Sequence, residues 1–303
     1  ENSTFSDLPQ KPNWNKTGSL TKTTGRITGS CVNLTSAATT MTLNVTAGST
    51  FTLGMAFQYT GSPSASITLC SLNDAGTVQC GIGLSASNKL IFFRSTTSTV
   101  LGTGTTTLSP GTWYYVEFKV TINDTTGTFD IHLNGVSETS GTSQDTKATS
   151  NATADSIKWA GPTASVTNMA YDDLYVLDGT GSSPYNTFLG DSQVETLFVA
   201  SNSTVAFTPL SSTNASNVDD PANDADSTYN STSSSSTVDL FTIGSLATTP
   251  ATIYATQVSA SLRSDATSIN ARSKLKSGAT TSNGTTKSIS TSYLYVSDIY
   301  IND

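Results

Sequence analysis

Apolar residues recur at every second position over short segments of this chain, which is the period of a β-strand with one buried face. The clearest segment is 113–122. Its apolar positions are Tyr114, Val116, Phe118, Val120 and Ile122. The intervening Glu117, Lys119 and Thr121 are predicted to face water. This pattern is typical of a strand in a sheet that has one dry and one wet face, as in half of a β-sandwich.

A second strand is predicted directly after this one. The polar segment 123–127 turns the chain, and Phe129, Ile131 and Leu133 then form the inward face of the returning strand. Asn134-Gly135 predicts the next tight turn, because both residues tolerate positive φ. The two strands are therefore expected to form an antiparallel hairpin.

The same period-two pattern predicts further strands at 50–57, 90–93 and 170–177. No segment of ten residues or more shows a helical period. The polar stretch 178–184 is rich in Gly and Ser and ends in Pro, so it is the predicted boundary region. The first domain is accordingly assigned to residues 1–187.

The second domain is assigned to residues 188–303. It contains a low-complexity Ser/Thr stretch at 231–236 and three strand-like segments at 237–243, 253–262 and 293–301. Six to eight short strands in a second, smaller sandwich are the simplest interpretation. The predicted fold class is all-β, with two antiparallel β-sandwich (jelly-roll) domains in tandem.

Composition narrows the choice of partners. Only 12% of the 303 residues are charged and the net charge is −8, while Ser and Thr supply about a third of the chain. The basic residues form no cluster that would displace counterions from phosphates, so nucleic acid is not an expected partner. The longest apolar runs are a few residues long, so no membrane-spanning segment is expected.

The motifs resemble a known family. The run 110–119, followed by 127–136, resembles the concanavalin A-like (laminin-G-like) lectin and glucanase jelly-roll domain. The segments 171–178, 188–191 and 194–197 resemble a group of tailed-bacteriophage virion proteins in which such a domain is followed by a second β module. This resemblance covers most of the chain from about Phe51 onward.

The resemblance implies a non-catalytic structural protein on the virion surface, outside the cell. It would be a capsid decoration or a tail or neck appendage. Other virion proteins and further copies of the chain are the implied partners, and a host surface glycan is a further one. The alternative is a secreted carbohydrate-binding or adhesion module of a bacterial surface protein.

Catalytic chemistry is not expected. Glycosidases need two carboxyl groups at a fixed separation, and the four Glu residues have none of the spacings that the glucanase resemblance would require. Asp172 and Asp173 are adjacent, so they are expected to point to opposite faces of their strand. His132 is the only histidine, and it is predicted on a wet face. Because Ser is so abundant, a Ser-His-Asp arrangement around it would carry little information.

Calcium is the one cofactor that the acidic residues suggest, as a structural ion bound by carboxylates and backbone oxygens. Asp172 and Asp173 are one candidate site, with a carboxylate satisfied by backbone N–H groups or a Tyr hydroxyl as the alternative. A second candidate is the loop containing Asp219, Asp220, Asp224 and Asp226. An exposed acidic turn is the alternative there.

Trp113 and Tyr115 are the candidate glycan-binding residues, because both are predicted on the outward face of their strand and aromatic rings stack on sugars. The alternative is that they pack under a loop or a neighbouring subunit.

Cys70 and Cys80 flank a predicted turn at 73–76, which would place them opposite each other on a hairpin. A cross-strand disulfide is one interpretation, and two small buried hydrophobic side chains are the other.

Overall fold

The computed structural model describes residues 13–27, 29–221 and 223–301. These residues divide into two compact units, Asn13–Val194 and the chain from Glu195 onward. The predicted boundary after residue 187 therefore falls within the last segment of the first unit.

The first unit contains fourteen strands. They are β1 (Trp14–Thr17), β2 (Leu20–Thr24), β3 (Ser30–Leu34), β4 (Thr40–Gly48), β5 (Thr50–Thr60), β6 (Ile67–Asp74), β7 (Thr77–Leu84), β8 (Leu90–Arg94), β9 (Val100–Thr103), β10 (Tyr114–Thr121), β11 (Gly127–Leu133), β12 (Val136–Gln144), β13 (Ala154–Ala160) and β14 (Asn168–Leu177). They form two seven-stranded sheets. Sheet A has the order β1-β4-β13-β6-β7-β8-β9, and sheet B has the order β12-β11-β10-β5-β14-β3-β2.

The two sheets pack face to face around an apolar core, so the predicted all-β sandwich is confirmed for this unit. Phe92 of sheet A stacks on Phe129 of sheet B, with ring centroids 4.3 Å apart. The hydroxyl of Tyr171, on β14, donates to the carbonyl oxygens of Leu69 and Ala160, both at 2.9 Å. Buried apolar side chains of this kind supply most of the stability of such a fold.

The predicted hairpin is present as β10 and β11. Val116 lies opposite Leu133, and Phe118 lies opposite Ile131. Asn134 and Gly135 have φ values of 50° and 80°, as the Asn-Gly turn requires. The period-two pattern therefore located both the strands and the turn between β11 and β12.

The prediction that Glu117 faces water is wrong. Its side chain does lie on the outward face of β10, but Glu117 is only 1% exposed. The cause is the segment 186–194, which contacts this face of sheet B and which we call the strap. Alternation assigns a side chain to a face, but it does not say whether another segment covers that face.

The hairpin of β6 and β7 turns at Ala75-Gly76, both with positive φ. Its register differs from the predicted one. Cys70 lies opposite Ile82, and Cys80 lies opposite Leu72. The offset coincides with register shifts in the ladder, because a bulge moves one strand relative to its partner.

The second unit contains ten strands and a short 3-10 helix, Ala215–Asn217. The strands are β15 (Val199–Thr204), β16 (Thr208–Pro209), β17 (Asn230–Ser231), β18 (Leu240–Ile243), β19 (Ala255–Leu262), β20 (Ile269–Ala271), β21 (Lys274–Ser277), β22 (Thr280–Asn283), β23 (Lys287–Ile289) and β24 (Leu294–Ile301). They pair two by two, as β15-β18, β16-β17, β19-β24, β20-β23 and β21-β22.

This all-β unit differs from the predicted second sandwich, because its described strands form five two-stranded sheets and no larger one. Its hydrophobic side chains are mostly exposed or half-buried. Those that are buried are Ala215, Ile289 and Val296. In the described part of the whole chain, no helix is long and apolar enough to cross a membrane.

Candidate functional site

The outer face of sheet B carries a cluster of charged and aromatic side chains under the strap. Tyr115 and Glu117 come from β10, Tyr175 comes from β14, and Asp172 and Asp173 precede Tyr175 on the same strand. Arg26, in the segment between β2 and β3, completes the cluster. We call this set the sheet B cluster.

A bulge in β14 changes the expected geometry of the two aspartates. The ladder to β5 shifts register between Asp172 and Tyr175, and Asp173 has a φ of 51°. The prediction that the two carboxylates point to opposite faces is therefore wrong. Asp172 Oδ2 accepts a hydrogen bond from the backbone N–H of Arg26 at 2.8 Å, and Asp173 Oδ2 accepts one from Arg26 Nε at 2.9 Å.

Arg26 is the positive charge of the cluster. Its side chain is 11% exposed, and its guanidinium also donates to Ser192 O at 3.1 Å and to the carboxylate of Asp191. It lies over the ring of Tyr115, with Cζ 5.0 Å from the ring centroid. Arg26 thus places a positive charge beside Asp173, and calcium at Asp172 and Asp173 stays a prediction.

Asp173 is a buried carboxylate with competing influences on its pKa. Burial raises the pKa, while the N–H of Val194 at 2.8 Å and the guanidinium of Arg26 act in the opposite direction. The net direction is upward. Burial of the charged form therefore outweighs the partial compensation by hydrogen bonds and charge.

Glu117 is a buried carboxylate that the strap holds in place. Its Oε1 accepts hydrogen bonds from the Tyr175 hydroxyl and from Gly190 N, the latter at 2.8 Å. Its Oε2 has no hydrogen-bond partner among the residues described. Burial, followed by the hydrogen bond to Glu117, raises the pKa of Tyr175 far above its usual value, so the hydroxyl stays protonated and donates.

The strap makes polar contacts along its length. Lys119 Nζ donates to Asn186 O at 2.9 Å, and Leu189 N donates to the Tyr175 hydroxyl oxygen at 3.2 Å. The ring of Phe188 lies against that of His132, with centroids 4.1 Å apart. The strap therefore encloses the carboxylates of the cluster. We call the contacts between the strap and the sheet B cluster the latch.

The two candidate glycan-binding residues have different surroundings. Tyr115 is 1% exposed, and its hydroxyl lies 3.4 Å from Asp173 O, which accepts its hydrogen bond. The expectation that its ring is available for stacking is therefore wrong, because Arg26 and the strap cover it. Trp113 precedes β10 and is half-buried, and its role in glycan binding stays a prediction.

The acidic loop of the second unit is held by internal contacts. Thr228 Oγ1 donates to Asp224 at 2.7 Å and lies 3.2 Å from a carboxylate oxygen of Asp220. Asp226 accepts from the Tyr293 hydroxyl at 2.7 Å and from Arg263 Nε at 3.0 Å. Asp219 is exposed. Among the described residues, no three acidic, His or Cys side chains are grouped as metal ligands would be, and calcium at this loop stays a prediction.

Cys70 and Cys80 are free thiols in the structure, so the disulfide interpretation is not supported. Both side chains are fully buried. Burial raises the pKa of Cys80 to about 12 and raises that of Cys70 well above its ordinary value. Both therefore act as small core side chains, which was the alternative interpretation.

No protein-family model matches the chain, and no curated protein matches its sequence. Among solved structures, the chain is similar to the alginate lyase Aly36B at a TM-score of 0.38 and 11% identity, covering 48% of this chain and 79% of that one. It is similar to the cellulose induced protein Cip1 at a TM-score of 0.41 and 14% identity, covering 55% and 87%. It is similar to a botulinum neurotoxin type G receptor-binding domain at a TM-score of 0.40 and 11% identity, covering 54% of this chain and 42% of the toxin domain. The chain thus spans less than half of that domain. Likeness at these scores does not extend to function.

Proposed function

We propose that this chain is a non-catalytic structural protein displayed on the surface of a tailed-phage particle, where it assembles with further copies of itself and with other virion proteins. The observation that carries the assembly role is the exposed apolar surface of the second unit. The phage setting rests on the sequence resemblance of the segments 171–178, 188–191 and 194–197.

The second unit presents most of the large hydrophobic side chains that are exposed in the described chain. They are Val205, Leu210, Val218, Tyr229, Ile243, Leu246, Ile253, Ile269, Leu294, Ile299 and Ile301. Exposed apolar side chains that adjoin one another, as Ile299 and Ile301 do on one face of β24, are typical of a protein interface. This surface therefore supports a permanent partner for the second unit.

The strand pairing of this unit supports the same conclusion. A two-stranded sheet is marginally stable by itself and presents unpaired N–H and C=O groups along both edges. On β24, Ile299 and Ile301 share one face and are 67% and 51% exposed. A partner that is always present when such a chain folds is a second copy of the same chain, since symmetric self-assembly is the commonest solution.

The polar side chains support a role without catalysis. Glu117 is enclosed with Tyr175 under the strap, and Asp173 is paired with Arg26. His132 Nε2 lies 3.2 Å from Asp130 Oδ2, but the hydroxyl of Ser137 donates to Asp130 as well, at 3.3 Å. This is a carboxylate shared by two side chains, and a catalytic triad needs the histidine between the serine and the aspartate.

The assembly role is tested by measuring the mass of the full chain with light scattering. The wild-type chain is expected to form a stable homo-oligomer, and the double variant Ile299→Asp/Ile301→Asp is expected to reduce it to smaller species, because a buried unpaired carboxylate costs several kcal/mol, roughly. Val136→Asp is the matched control, since Val136 is also 67% exposed but lies in the first unit. A wild-type monomer across the micromolar range contradicts the proposal.

The phage setting has its own test. Antibodies raised against the chain are expected to label intact particles of a phage that encodes it. Labelling of the bacterial surface instead would favour the alternative, a secreted adhesion or carbohydrate-binding module.

A further inference from the structure

The outer face of sheet A carries a groove of about 590 Å³. Its floor crosses β1, β4, β13 and β6 and includes Thr17, Thr42, Asn44, Asn73 and Lys158. These side chains face outward because their neighbours along the same strands, such as Met41 and Trp159, belong to the core.

Apart from Lys158 and Asp155, the groove is lined by neutral hydrogen-bonding groups. Thr42 pairs with Lys158 across the β4-β13 ladder, and Ser156 pairs with Asn73 across the β13-β6 ladder. Asn73 is 4% exposed, and its Oδ1 has no hydrogen-bond partner among the residues described. Because this oxygen is itself covered, the hydrogen-bonding capacity of the groove comes from more exposed groups, the half-buried Thr42 and the exposed Asn44.

Lys158 and Asp155 are the two charged residues of the groove. In the described part of the chain, no carboxylate oxygen lies within ion-pair distance of Lys158. Asp155, at the rim, is already engaged, because its carboxylate accepts from Ala75 N and from Ser156 Oγ, both at 3.0 Å. The ammonium group therefore has no ion-pair partner among the described residues, and it can pair with an anionic ligand.

We propose that this groove binds an acidic oligosaccharide. Lys158 would pair with the sugar carboxylate, and Thr42 and Asn44 would exchange hydrogen bonds with its hydroxyl groups. A groove of this volume accommodates a short oligosaccharide, and the residues that line it include no aromatic ring. Affinity must then come from a charge-assisted contact and from hydrogen bonds, which favours an anionic sugar over a neutral one.

The acidic oligosaccharide would be part of the host glycan that a surface-displayed protein contacts, and to that extent the inference rests on the proposed function. The binding site itself lies wholly within the first unit. Its test is therefore independent of the assembly test, which changes only Ile299 and Ile301 in the second unit. Loss of assembly with retained sugar binding, or the reverse, would separate the two proposals.

The experiment is titration calorimetry of the full chain with uronic-acid oligosaccharides of two to four residues, beside neutral oligosaccharides of the same length. Acidic oligosaccharides are expected to bind more tightly than neutral ones and to weaken as salt is added. Lys158→Met is expected to lower the affinity roughly tenfold or more, because a hydrogen bond to a charged group is lost. Thr42→Val, which removes one hydroxyl, gives a second variant with a smaller expected loss.

Lys89→Met is the matched control, because Lys89 lies beside β8 of the same sheet and outside the groove. It is expected to bind like the wild-type chain. Equal affinity for acidic and neutral oligosaccharides would overturn the assignment to an acidic ligand. Binding that neither Lys158→Met nor Thr42→Val weakens would overturn the location, and no binding of either class would overturn the proposal as a whole.

Discussion

The ring of Tyr175 lies directly over Gly54, its partner on the neighbouring strand β5. A Cβ atom at Gly54 would be 2.0 Å from Tyr175 Cε1 and 2.7 Å from the Tyr115 hydroxyl oxygen. Glycine is therefore required here for close approach of the aromatic ring. The contact places the Tyr175 hydroxyl at the carboxylate of Glu117, and so it supports the latch.

Gly54→Ala is expected to lower the free energy of unfolding of the first unit by about 1–3 kcal/mol, as overpacking typically does. Urea denaturation followed by tryptophan fluorescence measures this unit alone, since Trp14, Trp113 and Trp159 all lie within it. In the double variant Gly54→Ala/Tyr175→Ala, the loss of stability should be smaller than the sum of the two single losses, because the closest clash, with the Tyr175 ring, is gone. Full additivity would contradict the packing argument.

Arg26→Met is expected to loosen the strap and to destabilise the first unit by about 3–5 kcal/mol, because it leaves buried carboxylates without their cation. Hydrogen exchange should accelerate at the strap amides that bond to the cluster, those of Leu189, Gly190 and Val194. Arg272→Met is the control, since Arg272 is exposed. Unchanged exchange at the three strap amides in Arg26→Met would show that the latch does not hold the strap.

The sandwich could be predicted from the sequence because apolar and polar side chains alternate cleanly along its strands. On β10 the apolar positions are Val116, Phe118 and Val120. They lie opposite Leu133, Ile131 and Phe129 of β11. The sheet B cluster could not. Arg26 and Asp172 are separated by 146 positions, and no local pattern connects residues so far apart. The burial of Glu117 depends on the strap, and the shared orientation of the two aspartates depends on a bulge.

The sequence located three of the ten strands of the second unit, β18, β19 and β24, but not the way the strands assemble. The segments 253–262 and 293–301 contain β19 and β24, which pair with each other. The side chains of these two strands are mostly exposed or half-buried, as at Ile299 and Ile301. With so few side chains buried, two facing layers are not formed within this unit.

Gln79→Glu is expected to destabilise the first unit by about 3 kcal/mol or more, since each unsatisfied buried group costs about 1–3 kcal/mol. Gln79 is fully buried, and its Nε2 donates to Thr149 Oγ1, Asn151 O and Thr153 O at 2.7–2.9 Å. A carboxylate would lose these donors and place a charge against the acceptors. Gln58→Glu, which removes a single bond to Gly111 O, should cost less in the same urea measurement. Equal costs would contradict this account.

Chelation of divalent cations is expected to leave the melting temperature of the first unit unchanged, because the guanidinium of Arg26 pairs with Asp173 and its backbone N–H donates to Asp172. The measurement is thermal denaturation followed by tryptophan fluorescence, with EDTA and with added calcium. A rise in the melting temperature with calcium would instead support the calcium site at these aspartates.

Acidification is expected to destabilise the second unit through Asp298. Hydrogen bonds from the Ser273 hydroxyl at 2.7 Å and from the Thr285 hydroxyl at 2.7 Å lower the pKa of this carboxyl from 3.8 to about 2, with Lys287 Nζ 3.6 Å away. A group with a depressed pKa contributes its full stabilisation above the unfolded value of 3.8, and it loses that contribution as the pH falls toward about 2.

Asp298→Asn removes the titrating group. In urea denaturation followed by the amide NMR signals of β24, the variant should therefore be less stable near pH 6 and should lose less stability than the wild type between pH 4 and pH 2, roughly the interval between the two pKa values. Parallel pH dependence of the two proteins would show that another group controls the acid stability of this unit.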